Sequence, residues 1–500
     1  MRVTAVSDVA EREPADLLIF PFVRDESGPV PCASLPGLRE EVETIIEGRD
    51  FSGKAGSTLL FYPKGGREKR VLCLGLGEEK EATGDKGRMS EIIRRAFADA
   101  VRRCRGENRE SIHILLPTVT LLDSNGTARA VLEGIALSTY LFEEWKSEKK
   151  PFAIHALTLI GHLSSGCEGL ADEVFGITEG VNLARTLVHG NALDVTPQRL
   201  AEEAKHLAKK HPTVKTSVLD KGRIIKEGMG LFSAVASGSR VDPELIIVEY
   251  RGNPGSSEVT MVVGKGATLD TGGLNLKPGG HIEGQKADMS GGAAALGIIE
   301  GAANIKLGSN VIAIVPATEN AIDAHSYKPG DVYRAYSGTT VEITNTDAEG
   351  RLILADAIAY GEKTFSPARI IDLATLTGAI VVALGSVRAG LFSNDDRLAT
   401  LCEEAGEETG ERVWRMPLDK EYEQLLKSEI ADTANSSNKR WAGSVTAALF
   451  LRKFVSEKTP WIHLDIAGTA FLDDGPEGYH LTKATGAGVR LVLRLLEKLS

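Results

Sequence analysis

The stretch VTMVVGKGATLD, Val259 to Asp270, is apolar and β-branched up to Val263, then breaks at Gly264 into Lys265 and, five residues later, Asp270. A short, continuously apolar run bounded by glycine reads as a strand buried on both faces, the kind that parallel sheets contain. LIIVEY, NVIAIVPATEN, TTVEITN, ARIIDLATL and WIHLDIAG repeat the pattern around it, with helical periodicity between them. That alternation implies βαβ units and a largely parallel central sheet flanked by helices. Ligands in such sheets bind beyond the carboxyl ends of the strands, so polar residues that directly follow an apolar strand are the candidates for function.

Upstream, ADLLIFPFV, STLLFYP, KRVLCLGLG, SIHILLP and ALTLIG read as strands, and MSEIIRRAFADAVRRC and ARAVLEGIALSTYLFEEW carry the helical period. The fold class is therefore α/β with two domains. The expected divisions are an N-terminal α/β domain over 1–165, a linking helix within 166–190 and a second α/β domain over 191–500. Ala171 to Gly190 reads as one long helix, and TPQRLAEEAKHLAKK opens another with Thr196 as N-cap and Pro197 in the first turn.

Five hundred residues with 42% hydrophobic and 25% charged content are those of a soluble globular chain of more than one domain. A net charge of −11 argues against unaided attraction to nucleic acid, although RRAFADAVRRCRGENR (Arg94 to Arg109) forms a basic helix face. Cys32, Cys73, Cys104, Cys167 and Cys402 are scattered with no CxxC pair, which disfavours a disulfide framework or a thiolate zinc site. MRVTAVSDVAERE carries acids where a signal peptide needs an apolar core, and LATLTGAIVVALGSV is too short to span a bilayer. The expectation is a cytoplasmic protein without a membrane segment.

Chemistry concentrates in three segments. VTMVVGKGATLD supplies Lys265 and Asp270, the Gly-rich NLKPGGHIEGQKADMSGGAAAL supplies Lys277 and Asp288, and VEITNTDAEGR supplies Asp347, Glu349 and Arg351. On an extended backbone the last three would project to one side. Taken alone they make an ordinary solvated salt bridge. Four carboxylates converging on core-patterned sequence would be prohibitively costly without compensating cations. Two divalent metals would supply them, and an oxygen-rich set with one nitrogen donor suits Zn²⁺ or Mn²⁺. Such a pair, roughly 3.5–4 Å apart, is a hydrolytic unit. Lys277 and Arg351 remain as cations for a developing oxyanion, and Lys265 ligates metal only as a neutral amine. The carboxylate set alone permits a phosphoesterase as well as a peptidase. No GxSxG, HExxH or phosphate-binding glycine loop is present.

GKGATLDTGGLNLKPGG, QKADMSGGAA and NTDAEGRL occur in this order, followed by DLATLTGA at Asp372, HLDIAGTA at His463 and ATGAGVR at Ala484. These segments resemble the signature of the leucyl aminopeptidase (cytosol aminopeptidase) family. The likeness runs from about Thr196 to the C-terminus, and the first domain resembles that family's macrodomain-like N-terminal domain. The resemblance implies a catalytic two-metal peptidase domain over 191–500. One metal would sit among Lys265, Asp270, Asp288 and Glu349, the other among Asp270, Asp347 and Glu349. Lys277 would polarise the scissile carbonyl, and Arg351 would hold a bicarbonate ion acting as general base. A free α-amine ligates a metal where an internal amide does not, which restricts cleavage to peptide N-termini. A homohexamer with active sites facing an interior cavity is also implied.

The resemblance places the specificity pocket at Gln285, Thr375, Gly378, Ala467 and Ala470. Gln285 stands where relatives often carry methionine, and Ala470 where many have a larger residue, so a roomier, more polar pocket with broadened preference is expected. Relatives that bind DNA, and macrodomains that bind ADP-ribose, supply a binding role as the alternative. Among lesser candidates, Ser290 reads as a helix N-cap and Lys286 as an ion-pair partner of Asp288. His463 reads as a core residue, His281 as incidental, and Asn345 as either a peptide contact or a turn former.

Overall fold

The computed structural model describes residues 1–7, 12–33, 35–82, 84–104, 109–149, 154–161, 163 and 167–500. It divides into two compact units, one of Met1–Thr178 with Gly475–Thr482 and one of Glu179–Asp474 with Lys483–Ser500.

The first unit is built on a seven-stranded sheet. The strands Arg2–Val6, Ala156–Ile160, Ser111–Leu115, Leu17–Asp25 and Val71–Gly75 lie side by side and parallel, with Thr58–Phe61 antiparallel at one edge. The helices Lys86–Arg102 and Ser124–Leu137 start at the aspartates Asp85 and Asp123, whose carboxylates accept N–H groups of the first turn. Met89, Ile93, Phe97 and Val101 of the first helix pack with Val131 and Ile135 of the second against the apolar sheet face. The second helix ends at Leu137, well short of the Trp145 that its periodicity suggests. Three arginines of the basic stretch are paired with acids of the same helix or of neighbouring segments. Arg94 is buried against Glu91 and Glu133, Arg95 pairs with Glu91 and Glu477, and Arg102 pairs with Asp99. Residues 105–108 of that stretch lie outside the described residues.

The second unit carries a nine-stranded sheet. Its centre is parallel, in the order Trp461–Asp465, Arg369–Ala374, Thr260–Gly264 and Asn310–Asn320, and Gly266–Asp270 adds beside the end of Asn310–Asn320. The flanks depart from the parallel pattern: Glu244–Arg251 joins antiparallel at one side and Ala389–Ser393 at the other. Every residue of Thr260–Gly264 and of Trp461–Asp465 is buried, as in the central strands of a sheet covered on both faces. TTVEITN is not part of this sheet. Its Thr340–Glu342 portion belongs to a separate three-stranded sheet with Val332–Arg334 and Thr433–Ala434. The long helix Cys167–His189 belongs to the first unit up to Thr178 and to the second from Glu179, and Pro197–Lys210 follows with the Thr196 hydroxyl capping Arg199 N–H at 3.3 Å. Among the described residues no helix is long and apolar enough to cross a membrane.

Candidate active site

At the carboxyl ends of the central strands the chain leaves the sheet through glycine. Strand Thr260–Gly264 releases Lys265, and Gly266–Asp270 ends on Asp270 itself. Gly272, with φ of +88°, then turns the chain so that its own N–H reaches Asp270 Oδ1 at 2.9 Å. A side chain there would be strained and would meet Asn275 O at 2.6 Å. Asp288 closes the short 3₁₀ turn Gln285–Ala287, directly before the buried helix Ser290–Asn304.

The backbone of NTDAEGR is not extended. Thr346 and Asp347 form a turn, and Glu349 opens the helix Glu349–Phe365. Asp347, Glu349 and Arg351 therefore do not share one side. Asn345 shapes this turn, its side-chain oxygen accepting Asp347 N–H at 2.9 Å.

The structure brings six of the sequence-predicted charges into one interlocked cluster. Lys265 Nζ lies 2.6 Å from Asp288 and 2.7 Å from Glu349, and donates to the Thr375 carbonyl at 3.1 Å. Lys277 Nζ lies 2.7 Å from Asp270 and 2.5 Å from Asp347. Candidate ligand oxygens of Asp270, Asp347 and Glu349 fall within 4.8 Å of one another. Arg351 stands apart. Its side chain donates to the Asn435 carbonyl at 2.9 Å, its buried Nε has no hydrogen-bond partner, and it forms no ion pair among the described residues.

Burial pushes the Asp270 carboxyl up to about 6, with Glu349 adding to the effect, while Lys265 and Lys277 oppose it. Asp288 is raised well above the usual carboxylate range by burial, against the pull of Lys265. Burial would also raise Glu349, but Lys265 and Lys277 outweigh it and hold that carboxyl low. Both lysines are held more firmly protonated than usual, because the carboxylates outweigh the cost of burying them. Arg351 is lowered to about 10 by burial, despite Glu349 and Asp465 nearby.

These residues fit divalent cations. Four carboxylates face two lysines, so the cluster is short of positive charge, and burial raises Asp270, Asp288 and Asp347. The buried Asn320 Oδ1 has no hydrogen-bond partner, and Asp288 Oδ2 has only the Lys265 ammonium, 2.6 Å away. Such atoms keep acceptor capacity that a metal or its water would fill.

Of the pocket candidates, Thr375 donates to Asp288 Oδ1 at 2.8 Å, and Gln285 sits on the same turn as Asp288. Gly378 begins an exposed helix turn with open space around it, whereas Ala470 is buried behind the loop that Ala467 starts. Two lesser expectations fail. Ser290 is the first helical residue rather than the cap, and its hydroxyl donates back to the Ala287 carbonyl at 2.5 Å. Lys286 donates to the His189 carbonyl at 2.8 Å instead of pairing with Asp288, whose carboxylate Lys265 already occupies. His463 is a core residue, bonded through Nδ1 to Asp372 at 2.6 Å, and His281 is exposed.

Sequence reasoning missed the supporting amides. Asn320 Nδ2 donates to Asp270 Oδ1 at 2.8 Å and to the Thr346 carbonyl at 3.0 Å, tying the two loops together. Tyr327 donates to that same carbonyl at 2.7 Å, and Asn435 holds Thr344 N–H and the Asn345 carbonyl. Asn320 was discoverable, since it is the polar last residue of the fully buried strand Asn310–Asn320.

The family model for the catalytic domain of the cytosol aminopeptidase family matches residues 182–493, and that for its N-terminal domain matches residues 33–149. A probable cytosol aminopeptidase of Protochlamydia amoebophila is 46% identical over 98% of both chains. One of Chlamydia felis is 45% identical, covering 98% of this chain and 97% of its own. Among solved structures, a tomato leucine aminopeptidase mutant superposes with a TM-score of 0.86 at 32% identity, covering 99% of this chain and 96% of its own. The bottromycin maturation enzyme BotP in complex with Mn gives 0.85 at 31% identity, covering 97% and 99%. With a carboxylate cluster fit for divalent metal at the strand ends and relatives matched along nearly the whole chain, the protein belongs to the cytosol aminopeptidase family and is a metal-dependent peptidase acting on peptide N-termini.

Proposed function

We propose that this aminopeptidase works with two divalent ions, Zn²⁺ or Mn²⁺, held by Lys265, Asp270, Asp288, Asp347 and Glu349. The observation that carries the reading is the charge deficit of one buried cluster, in which Lys265 and Lys277 sit among four carboxylates. Bound there, the metals would supply Lewis acidity and an activated water. Lys277, which lies between Asp270 and Asp347, would be the cation that polarises the scissile carbonyl. Arg351, buried and without an ion pair among the described residues, is suited to hold an anion, and bicarbonate acting as general base is the occupant we assign. Thr375, Gly378, Ala467, Ala470 and the polar Gln285 form a pocket for the N-terminal side chain, with a preference broader than leucine.

The domain limits we adopt are 1–165, a linking helix within 166–190, and 191–500 as the peptidase domain. A cytoplasmic homohexamer is the assembly consistent with this reading. Metal analysis combined with a panel of aminoacyl p-nitroanilides tests it. Two metals per chain and hydrolysis of several aminoacyl substrates, with p-nitrophenyl phosphate untouched, are expected. Metal-independent hydrolysis, or a sharp preference for leucine alone, would contradict the site or the pocket respectively.

A further inference from the structure

Beneath the turns that carry the pocket residues lies a carboxylate that takes no part in the metal-ligand set. Asp465 is the last residue of the strand Trp461–Asp465 and is 1% exposed. Its Oδ1 accepts Leu376 N–H at 3.1 Å and Ala467 N–H at 3.3 Å. Its Oδ2 accepts the Thr377 hydroxyl at 2.6 Å. That hydroxyl in turn caps the helix Gly378–Leu384 by accepting Ile380 N–H at 3.1 Å.

One side chain thus fastens two turns that follow neighbouring parallel strands. The first turn begins at Thr375, which touches both Asp288 and Lys265. The second holds Ala467 and then Ala470, whose N–H bonds to the Ile466 carbonyl at 2.9 Å. Burial pushes the Asp465 carboxyl up, and His463, Thr377 and the two backbone N–H groups pull against that shift. An apolar residue in this place would leave Leu376 N–H, Ala467 N–H and the Thr377 hydroxyl without their acceptor. A carboxylate can accept from all of these donors at once and fixes their separation.

We propose that Asp465 is a positioning residue for substrate selection, setting the distance between the Thr375–Gly378 and Ile466–Ala470 turns and with it the size of N-terminal side chain accepted. The inference rests on the pocket reading above. It predicts an effect on discrimination between side chains and not on the metal site.

The test compares wild type, D465N, T377V and T377S on Leu- and Ala-p-nitroanilide, with metal content and melting temperature measured in parallel. D465N keeps the shape and the Oδ1 bonds but turns an amide donor toward a hydroxyl that already accepts from Ile380 N–H. T377V deletes the hydroxyl and T377S restores it. D465N and T377V are expected to lower the Leu-to-Ala ratio of kcat/KM by roughly fivefold or more, through KM, as loosened pocket walls do. T377S stays within about twofold, and metal content is unchanged in all variants. An unchanged ratio in T377V, or a parallel fall on both substrates, overturns the inference. Should D465N not fold, T377V against T377S decides. A wild type that hydrolyses neither substrate overturns the pocket reading itself, and this inference with it.

Discussion

Gly350 is the second residue of the helix Glu349–Phe365, with an ordinary helical backbone, and its importance lies in what passes over it. A Cβ added there would stand 2.5 Å from Lys265 Cε and 2.8 Å from Lys265 Nζ. Carbon–carbon contacts settle near 3.5–4.0 Å, so the lysine arm must retreat by about 1 Å. It has little room to do so, being 3% exposed and bonded to Asp288, Glu349 and the Thr375 carbonyl. In G350A the gain in helix propensity of about 1 kcal/mol opposes an overpacking cost of about 1–3 kcal/mol, so the fold loses at most about 2 kcal/mol. The site loses more, because a misplacement of about 1 Å costs on the order of 100-fold in rate. The assay is Leu-p-nitroanilide hydrolysis with metal content and urea unfolding of the same preparations. G222A is the control, on an exposed helix whose nearest neighbour is Asp220 Oδ1 at 3.4 Å, and it should keep full activity. If G350A retains activity and metal within about twofold of wild type, Lys265 is not locked against this helix and the reasoning is wrong.

Chelation should abolish hydrolysis and lower stability, by about 4 kcal/mol where free metal had stood a thousandfold above its Kd; a melting curve unmoved after verified metal removal would contradict the cluster as described. K277A should lower kcat by about 100- to 1000-fold with metal content intact, and loss of metal instead would make Lys277 a structural counter-ion. His189 Nε2 accepts Ala484 N–H at 3.2 Å, and burial beside Lys286 and Arg185 pushes its pKa down to about 4. The unfolded imidazole binds its proton more tightly, so this stability is present above about pH 6.5 and is lost as pH falls toward 4. At about 1.4 kcal/mol per unit, discounted for partial exposure, the loss is about 1–2 kcal/mol; urea midpoints at pH 7 and 4.5 should show it in wild type and not in H189Q.

The central strands were legible because burial on both faces leaves mostly apolar runs, of which Thr260–Gly264 is the plainest, while Trp461–Asp465 also buries His463 and Asp465. Of the candidate ligands only Asp270 ends a strand beside the central sheet, and Asp288, Asp347 and Glu349 stood out as acids inside sequence otherwise patterned for a core. The start of the helix Glu349–Phe365 was hidden for a physical reason. Its N-cap is Ala348, which makes no side-chain cap bond, so the usual serine, threonine or aspartate signal is missing. Thr340–Glu342 misled for another: three residues, two of them β-branched, do not disclose which sheet they join. Asp465 went unremarked since an acid closing HLD has the same appearance whether it binds metal, substrate or its own backbone. Only the positions of Leu376, Thr377 and Ala467 distinguish these.

The helix that replaces the expected extended segment makes better chemical sense of the charges it carries. On a strand, Glu349 and Arg351 would have faced the same side, and the guanidinium would have neutralised the very carboxylate a metal needs. On a helix, residues two apart diverge by about 200°. Glu349 is thereby turned toward Lys265, and Arg351 toward the Asn435 carbonyl. The two lysines, single point charges on flexible stems, pair with the four carboxylates. The arginine, a planar fork suited to a planar anion, is kept out of that pairing. Separation by helix geometry would thus let one short segment supply the proposed metal ligands and a guanidinium apart from them without the two cancelling each other.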